Sequence, residues 1–355
     1  MRLPSTPSIS ILAMSLILLA APVMAAPTSL SRLSTQHEFS PKDQADLQAY
    51  VDLHVSRLDS ENPADLTGGR MKLIGTLRGP TASRVSPAFR QAYANILIPK
   101  LQDVLDTGGI PSGIAAMQIT GYLGTNSATD VILAHLNAED EPREAIRLWS
   151  VASLRDLVAN PNVSSAAIEH AMQTLATAME TEESWAVQRQ AFVTLGKAIQ
   201  NRRKVEDGRN LLSNSARSLQ GQMLASTIRR MGQGETILVL AIEPATGVIR
   251  DQYLDRMMFD RQKDLAVVTV PALAGMHKSV LNQWDALRDD PRLARSAELA
   301  LHKSEVLMAL MDSRLTGSDV PETIAYEGTI TNNQRETVEA GRQNWSAIAT
   351  KPRYN

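Results

Sequence analysis

Three side chains toward the C-terminal end have the types and spacing to hold a metal. Glu298, His302 and Glu305 stand at i, i+4 and i+7, so a helix would turn all three to one face. Two carboxylates and an imidazole suit a divalent cation, and one reading is a metal-dependent envelope enzyme working around His302. The plainer reading is a solvated helix face or a histidine at the edge of the core. Metal sites in helical bundles draw ligands from several helices, and no matching second set occurs in the chain. Other catalytic patterns are missing: there is no P-loop, dinucleotide glycine fingerprint, G-x-S-x-G elbow or H-E-x-x-H helix. Gly109-Ile110-Pro111-Ser112-Gly113 sets a serine among glycines at the wrong spacing and reads as the turn that starts a helix. No catalytic residue is assigned and no cofactor is expected.

Charge is the other feature that could do work. From Asn137 to Ala186 nine acidic residues face three arginines, a local balance of −6; from Val187 to Gly232 nine basic residues face two acidic ones, a balance of +7. Arg202, Arg203, Lys204 and Arg209, with Arg229 and Arg230 further on, are the candidate partner-binding residues. The partner expected is a protein with an acidic surface or an anionic envelope polymer, unless these are ordinary solvated faces pointing in several directions. A basic patch is also the usual footprint of nucleic acid, but the start of the chain argues against that partner.

Residues 1–25 read as an export signal. Arg2 is the only charge, Ile9 to Ala21 is an almost unbroken apolar run of 13, and Val23-Met24-Ala25 supplies small residues for cleavage after Ala25. The run falls short of the ~20 residues a membrane span needs, and no transmembrane segment is expected after its removal. The mature chain would hold 330 residues, 35 basic and 38 acidic, a net charge of −3. Such a balance exerts no global pull on nucleic acid or anionic membrane. The absence of cysteine excludes a disulfide framework, a thiolate metal site and a cysteine nucleophile. An exported chain without disulfides favours the periplasm of a bacterial envelope, or secretion from it.

The elements that must position these residues are helices. Ser40-Pro41, Ser86-Pro87 and Asp290-Pro291 each place a capping side chain before a proline at the first helical position, and Ser127-Ala128-Thr129-Asp130 resembles a capping box. Leu265 to Val270 (LAVVTV) is the best strand candidate, although Pro271 and its helical surroundings make a buried helix an equal reading. The stretch VQRQAFVTLG at 187–196 recurs in approximate form as AAMQITGYLG at 115–124, IRLWSVASLR at 146–155 and MLASTIRRMG at 223–232, spacings of 31, 41 and 36 residues. Positions 1, 5, 6 and 9 of each are apolar or small and fall within about 140° of one helix face. In the 187–196 stretch they are Val187, Ala191, Phe192 and Leu195, and the small residue at position 5 is where a neighbouring helix is expected to come closest.

Leu123-Gly124, a helix from Ala128 to Leu136 and the acidic turn Glu139-Asp140-Glu141-Pro142 separate the first two stretches. This arrangement resembles the HEAT-repeat family of α-solenoids over about 115–200. Arg147 and Gln188 occupy the place where such repeats commonly carry arginine, so the second departs from the pattern, and Arg155 replaces the closing glycine. The resemblance implies an all-α fold, an α-solenoid of stacked antiparallel helix pairs. A repeat of this kind buries its apolar face only against its neighbours and offers an extended surface, which implies an armadillo-like protein-binding or scaffolding module rather than a catalyst. The expected organisation is a signal over 1–25, an N-terminal helix and capping segment over 26–86, the array over 87–315, and an extended polar tail over 316–355.

Overall fold

Every cap-then-proline signal opens a helix. The computed structural model describes residues 29–200, 211–254 and 262–354, and among these the regular structure is helical, without strands. Ser40 forms a reciprocal capping box with Asp43 at the start of α1 (Pro41–Val55), and Asn62 caps α2 (Pro63–Gly75). Ser86 caps α3 (Pro87–Thr107), which is followed by α4 (Ile110–Leu123). Gly124 ends α4 at φ 64°, a left-handed position that favours glycine. The cap of α5 (Asn126–Leu133) is Thr125, whose hydroxyl accepts from the Ala128 N–H at 3.2 Å, two residues before the Ser127 box expected from sequence. The chain continues through α6 (Glu144–Val158), α7 (Ser165–Ala178), α8 (Trp185–Gln200), α9 (Leu211–Gly232), α10 (Val239–Leu254), α11 (Gln262–Asn282) and the short α12 (Trp284–Arg288). The long α13 (Pro291–Thr316), capped by Asp290, and α14 (Arg335–Ala349) complete it.

Contacts between these helices fall into two rows. In one row α1 packs on α3, α3 on α5, α5 on α7, α7 on α9, α9 on α11 and α11 on α14. In the other, α2 packs on α4, α4 on α6, α6 on α8, α8 on α10 and α10 on α13. Sequential partners such as α3 and α4, or α8 and α9, join the rows. Three of the four repeated stretches lie in the second row, on α4, α6 and α8, and their positions 1, 5, 6 and 9 are all buried. The fourth, 223–232, also buries that face, but it lies on α9 in the first row. Its second-row counterpart is α10, whose Pro244 and Gly247 blur the pattern.

In the second row α4 and α6 come close at Gly121, position 7 of the 115–124 stretch. A Cβ on Gly121 would stand 2.9 Å from the Ser153 Cβ and 3.1 Å from its Cα. The Ser153 hydroxyl donates to the Met117 carbonyl, and the Thr194 hydroxyl to that of Val151, both at 2.9 Å. Leu195, at the centre of the α8 core face, is fully buried. Replacing it with alanine is expected to cost about 2–5 kcal/mol in denaturant melts; a loss well below 1 kcal/mol would contradict its place in the core.

One open reading is decided here and one expectation is corrected. Leu265 to Val270 is helical, the first part of α11, and buries Leu265, Ala266, Thr269 and Val270 while leaving Val267 and Val268 partly exposed. That two-on, two-off rhythm belongs to a helix, since a half-buried strand would bury alternate residues. The segment after Thr316 is not simply extended: it is irregular to Gln334 and then forms α14, whose Val338, Gly341 and Trp345 bury against the body. Its punctuation by Gly317, Pro321, Gly328 and Asn332-Asn333 is real, but the stripe beyond it carries the packing.

Candidate functional site

Side chains from next-but-one helices of the second row meet on its outward face at two places. The first is a groove of about 240 Å³ across α2, α4 and α6, lined by Arg70, Arg78, Gln118, Tyr122, Trp149, Arg155 and Asp156 among others. Tyr122 and Trp149 are half-buried there, and Arg70 donates a hydrogen bond to Gln118. The second is on α8 and α13, where the Arg292 guanidinium lies 5.5 Å from the centre of the Trp185 ring, past the intervening α10. Large amphipathic aromatics beside guanidinium groups are the composition that protein-binding surfaces favour. The motif search missed these residues because they lie off the repeated apolar face. The readable signal was Tyr122 at position 8 and Trp149 at position 4, large aromatics where a solvated side chain was due.

Polar groups behind this face fix the turns that carry it. Arg147 on α6 spans to the α7–α8 turn, where its Nε and Nη2 donate to the two Glu182 carboxylate oxygens at 2.7 and 3.0 Å, and its Nη1 donates to the Glu141 carbonyl at 2.9 Å. Both partners are buried, and the Glu182 hydrogen bonds raise the Arg147 pKa above the ordinary value. Gln188, where the resemblance puts an arginine, donates instead to the Met179 and Glu182 carbonyls at 2.6 and 3.1 Å. Arg230 on α9 reaches the same two carbonyls, both at 3.0 Å, and pairs with Glu235. Glu141 repeats the arrangement one turn earlier, taking Arg143 at 2.7 Å and His135 at 3.0 Å.

That placement separates two of the basic candidates. Arg230 faces inward and closes a turn. Arg229 is exposed, donates to the Ser226 hydroxyl at 3.1 Å, and lines a shallow groove of about 340 Å³ between α9 and α11 with Lys278. Arg202, Arg203, Lys204 and Arg209 lie outside the described residues.

The metal-candidate face has a different use. Glu298 accepts the backbone N–H groups of Ile330 at 2.7 Å, Gly328 at 3.0 Å and Thr331 at 3.4 Å. Glu305 accepts the Ile324 N–H at 2.7 Å, the Tyr326 hydroxyl, and His277 Nε2 at 2.9 Å. A third carboxylate, Asp312, continues the face another seven residues on and accepts Arg353 Nε at 2.9 Å and the Tyr354 hydroxyl at 2.6 Å. All three are buried, and their lone pairs hold the C-terminal segment against α13. His302 is exposed, with Nδ1 3.3 Å from the Ile324 carbonyl oxygen as its donor. Among the described residues no group of three or more His, Asp or Glu side chains is placed to hold a metal.

Burial alone would push the Glu305 pKa up. Hydrogen bonds from His277, the Ile324 N–H and Tyr326, with the attraction of His277, outweigh it and hold the carboxyl below its usual value. The same burial, reinforced by Glu305, pushes the Tyr326 hydroxyl far up, so it remains a donor. Gly341 on α14 seals the cluster: a Cβ there would stand 2.0 Å from the Tyr326 hydroxyl oxygen and 2.9 Å from both Glu305 Oε1 and His277 Nε2. Glu305 and His277 are fully buried within this cluster, whereas Glu298, His302 and Tyr326 also line a neighbouring cavity of about 550 Å³.

The chain matches no known protein family, and comparison with curated proteins finds no relative. Among the described residues no helix is long and apolar enough to cross a membrane.

Proposed function

We propose that the chain is a HEAT-like α-solenoid, exported to the periplasm or beyond a bacterial envelope, that serves as a protein-binding or scaffolding module. Its partner lies along the second-row face, across α2, α4 and α6. Support for the repeat architecture comes from the two rows of next-but-one contacts and from three repeated stretches falling on successive helices of one row. The observation that carries the binding reading is the groove in which Tyr122 and Trp149 stand half-exposed among three arginines. Export rests on the composition of residues 1–25, which lie outside the described residues. A catalytic alternative at Glu298, His302 and Glu305 gains no support, because both carboxylates are spent on the C-terminal segment.

Capture of partners on the protein in its native envelope tests this reading. Wild type is expected to retain a protein that a Trp149→Ala bait loses, while an Asp130→Ala bait, altered on the first-row helix α5, keeps it. Equal retention on all three baits would sink the second-row assignment, and capture of an envelope polymer in place of a protein would redirect the partner class.

A further inference from the structure

We infer that the groove across α2, α4 and α6 binds an extended acidic polypeptide segment that carries an apolar side chain between carboxylates. The inference deepens the binding reading above and rests on it. Three guanidinium groups, Arg70, Arg78 and Arg155, line the groove with a single carboxylate, Asp156. The local balance is +2, whereas the whole chain carries −2. Arg155 pairs with the adjacent, exposed Asp156 at 3.2 Å, and such a pair is readily surrendered, since it contributes little.

Size decides between an enclosed small molecule and a chain laid across. About 240 Å³ is less than the roughly 300–1,000 Å³ of pockets that enclose small ligands; it holds one or two side chains. Packed helices lie 8–10 Å apart, so the groove runs about 20 Å from α2 to α6, which an extended strand covers in about six residues at 3.3 Å each. Tyr122 on α4, in the middle helix, and Trp149 on α6 present flat apolar surface for an aromatic or proline side chain. Arg70 and Arg78 on one side and Arg155 on the other would take the flanking carboxylates, with the bidentate geometry that guanidinium offers. Nucleic acid would need a longer basic stripe than three clustered cations.

The test uses the full chain and a fluorescein-labelled octapeptide alternating Glu with Phe and Pro, its Lys-for-Glu counterpart, and an oligothymidylate of equal length, read by anisotropy at low salt. The acidic peptide is expected to bind at least about tenfold more tightly than either comparison probe, as complementary charge selects partners. Arg155→Glu and Trp149→Ala should each weaken it about tenfold, raised salt should weaken it further, and Arg229→Glu, on the other row, should leave it unchanged. Circular dichroism of the variants distinguishes lost binding from lost folding, and Arg155→Lys, which keeps the charge without the bidentate fork, should fall between wild type and Arg155→Glu. Equal binding of the acidic and basic peptides, tighter binding of the oligonucleotide, or indifference to Arg155→Glu would overturn the inference. If Trp149→Ala abolishes partner capture while the acidic peptide does not bind, the scaffold reading stands and the acidic assignment falls.

Discussion

Replacing Arg147 with alanine is expected to cost about 3–5 kcal/mol, because it leaves the Glu182 carboxylate buried without its cation. Both oxygens of Glu182 face the Arg147 guanidinium at 2.7 and 3.0 Å, and the acid is 1% exposed. Only the Ser184 N–H, at 2.8 Å, would remain to one of those oxygens. The third Arg147 hydrogen bond, to the Glu141 carbonyl, would be lost as well. The double variant Arg147→Met with Glu182→Met removes both charges together and is expected to recover most of the stability, since a well-packed apolar pair often replaces a buried ion pair at little cost. Denaturant melts of the three variants check this. A single-variant loss below about 1 kcal/mol, or a double variant worse than the single, would show that the pair does not hold the α7–α8 turn as described.

The C-terminal segment should detach in acid before the body unfolds, and Glu305 sets the range. Its pKa is lower in the folded state than its ordinary value, so the unfolded state binds more protons there and stability rises with pH through that range. The contribution is complete above the unfolded value of about 4.3 and is lost as pH falls through the lower folded value. Hydrogen-exchange protection at Ile324 and Tyr326 is therefore expected to fall below about pH 4.3 while the buried α8 amides remain protected. Glu305→Gln should reduce protection at those positions already at neutral pH and flatten its acid dependence. Unchanged acid sensitivity in Glu305→Gln would assign the transition to another group. Loss of protection in α8 at the same pH would mean that the segment does not release separately.

Local patterns were legible in the sequence because they report what a helix does by itself. Ser40, Ser86 and Asp290 announced helix starts through capping chemistry that needs no tertiary partner. Val187, Ala191, Phe192 and Leu195 announced a buried face through periodicity alone. The fourth stretch buries the expected face, but on α9 in the first row, and only contacts separate the rows. The segment after Thr316 looked extended because glycine, proline and asparagine dominate its first half; the spacing of Val338, Gly341 and Trp345 was present but short and set among polar residues. Glu298, His302 and Glu305 were correctly placed on one helix, with both carboxylates buried, yet their partners come from backbone N–H groups 19 to 33 residues away in sequence, which no motif encodes. Arg230 illustrates the same limit, since a run of basic residues does not say which member turns inward. The groove at Tyr122 and Trp149 depends on three helices meeting, so the sequence showed the two aromatics off the repeated face but not that they share a groove.

Site-specific photo-crosslinking tests the binding face most directly. A benzophenone amino acid in place of Trp149, which lines the groove from α6, is compared in native envelope with the same group in place of Asp130 on the exposed side of α5. The account predicts a discrete crosslinked protein partner from position 149 that Arg155→Glu diminishes, and none from position 130. Crosslinks of equal yield from both positions, or a partner captured only from position 130, would contradict it.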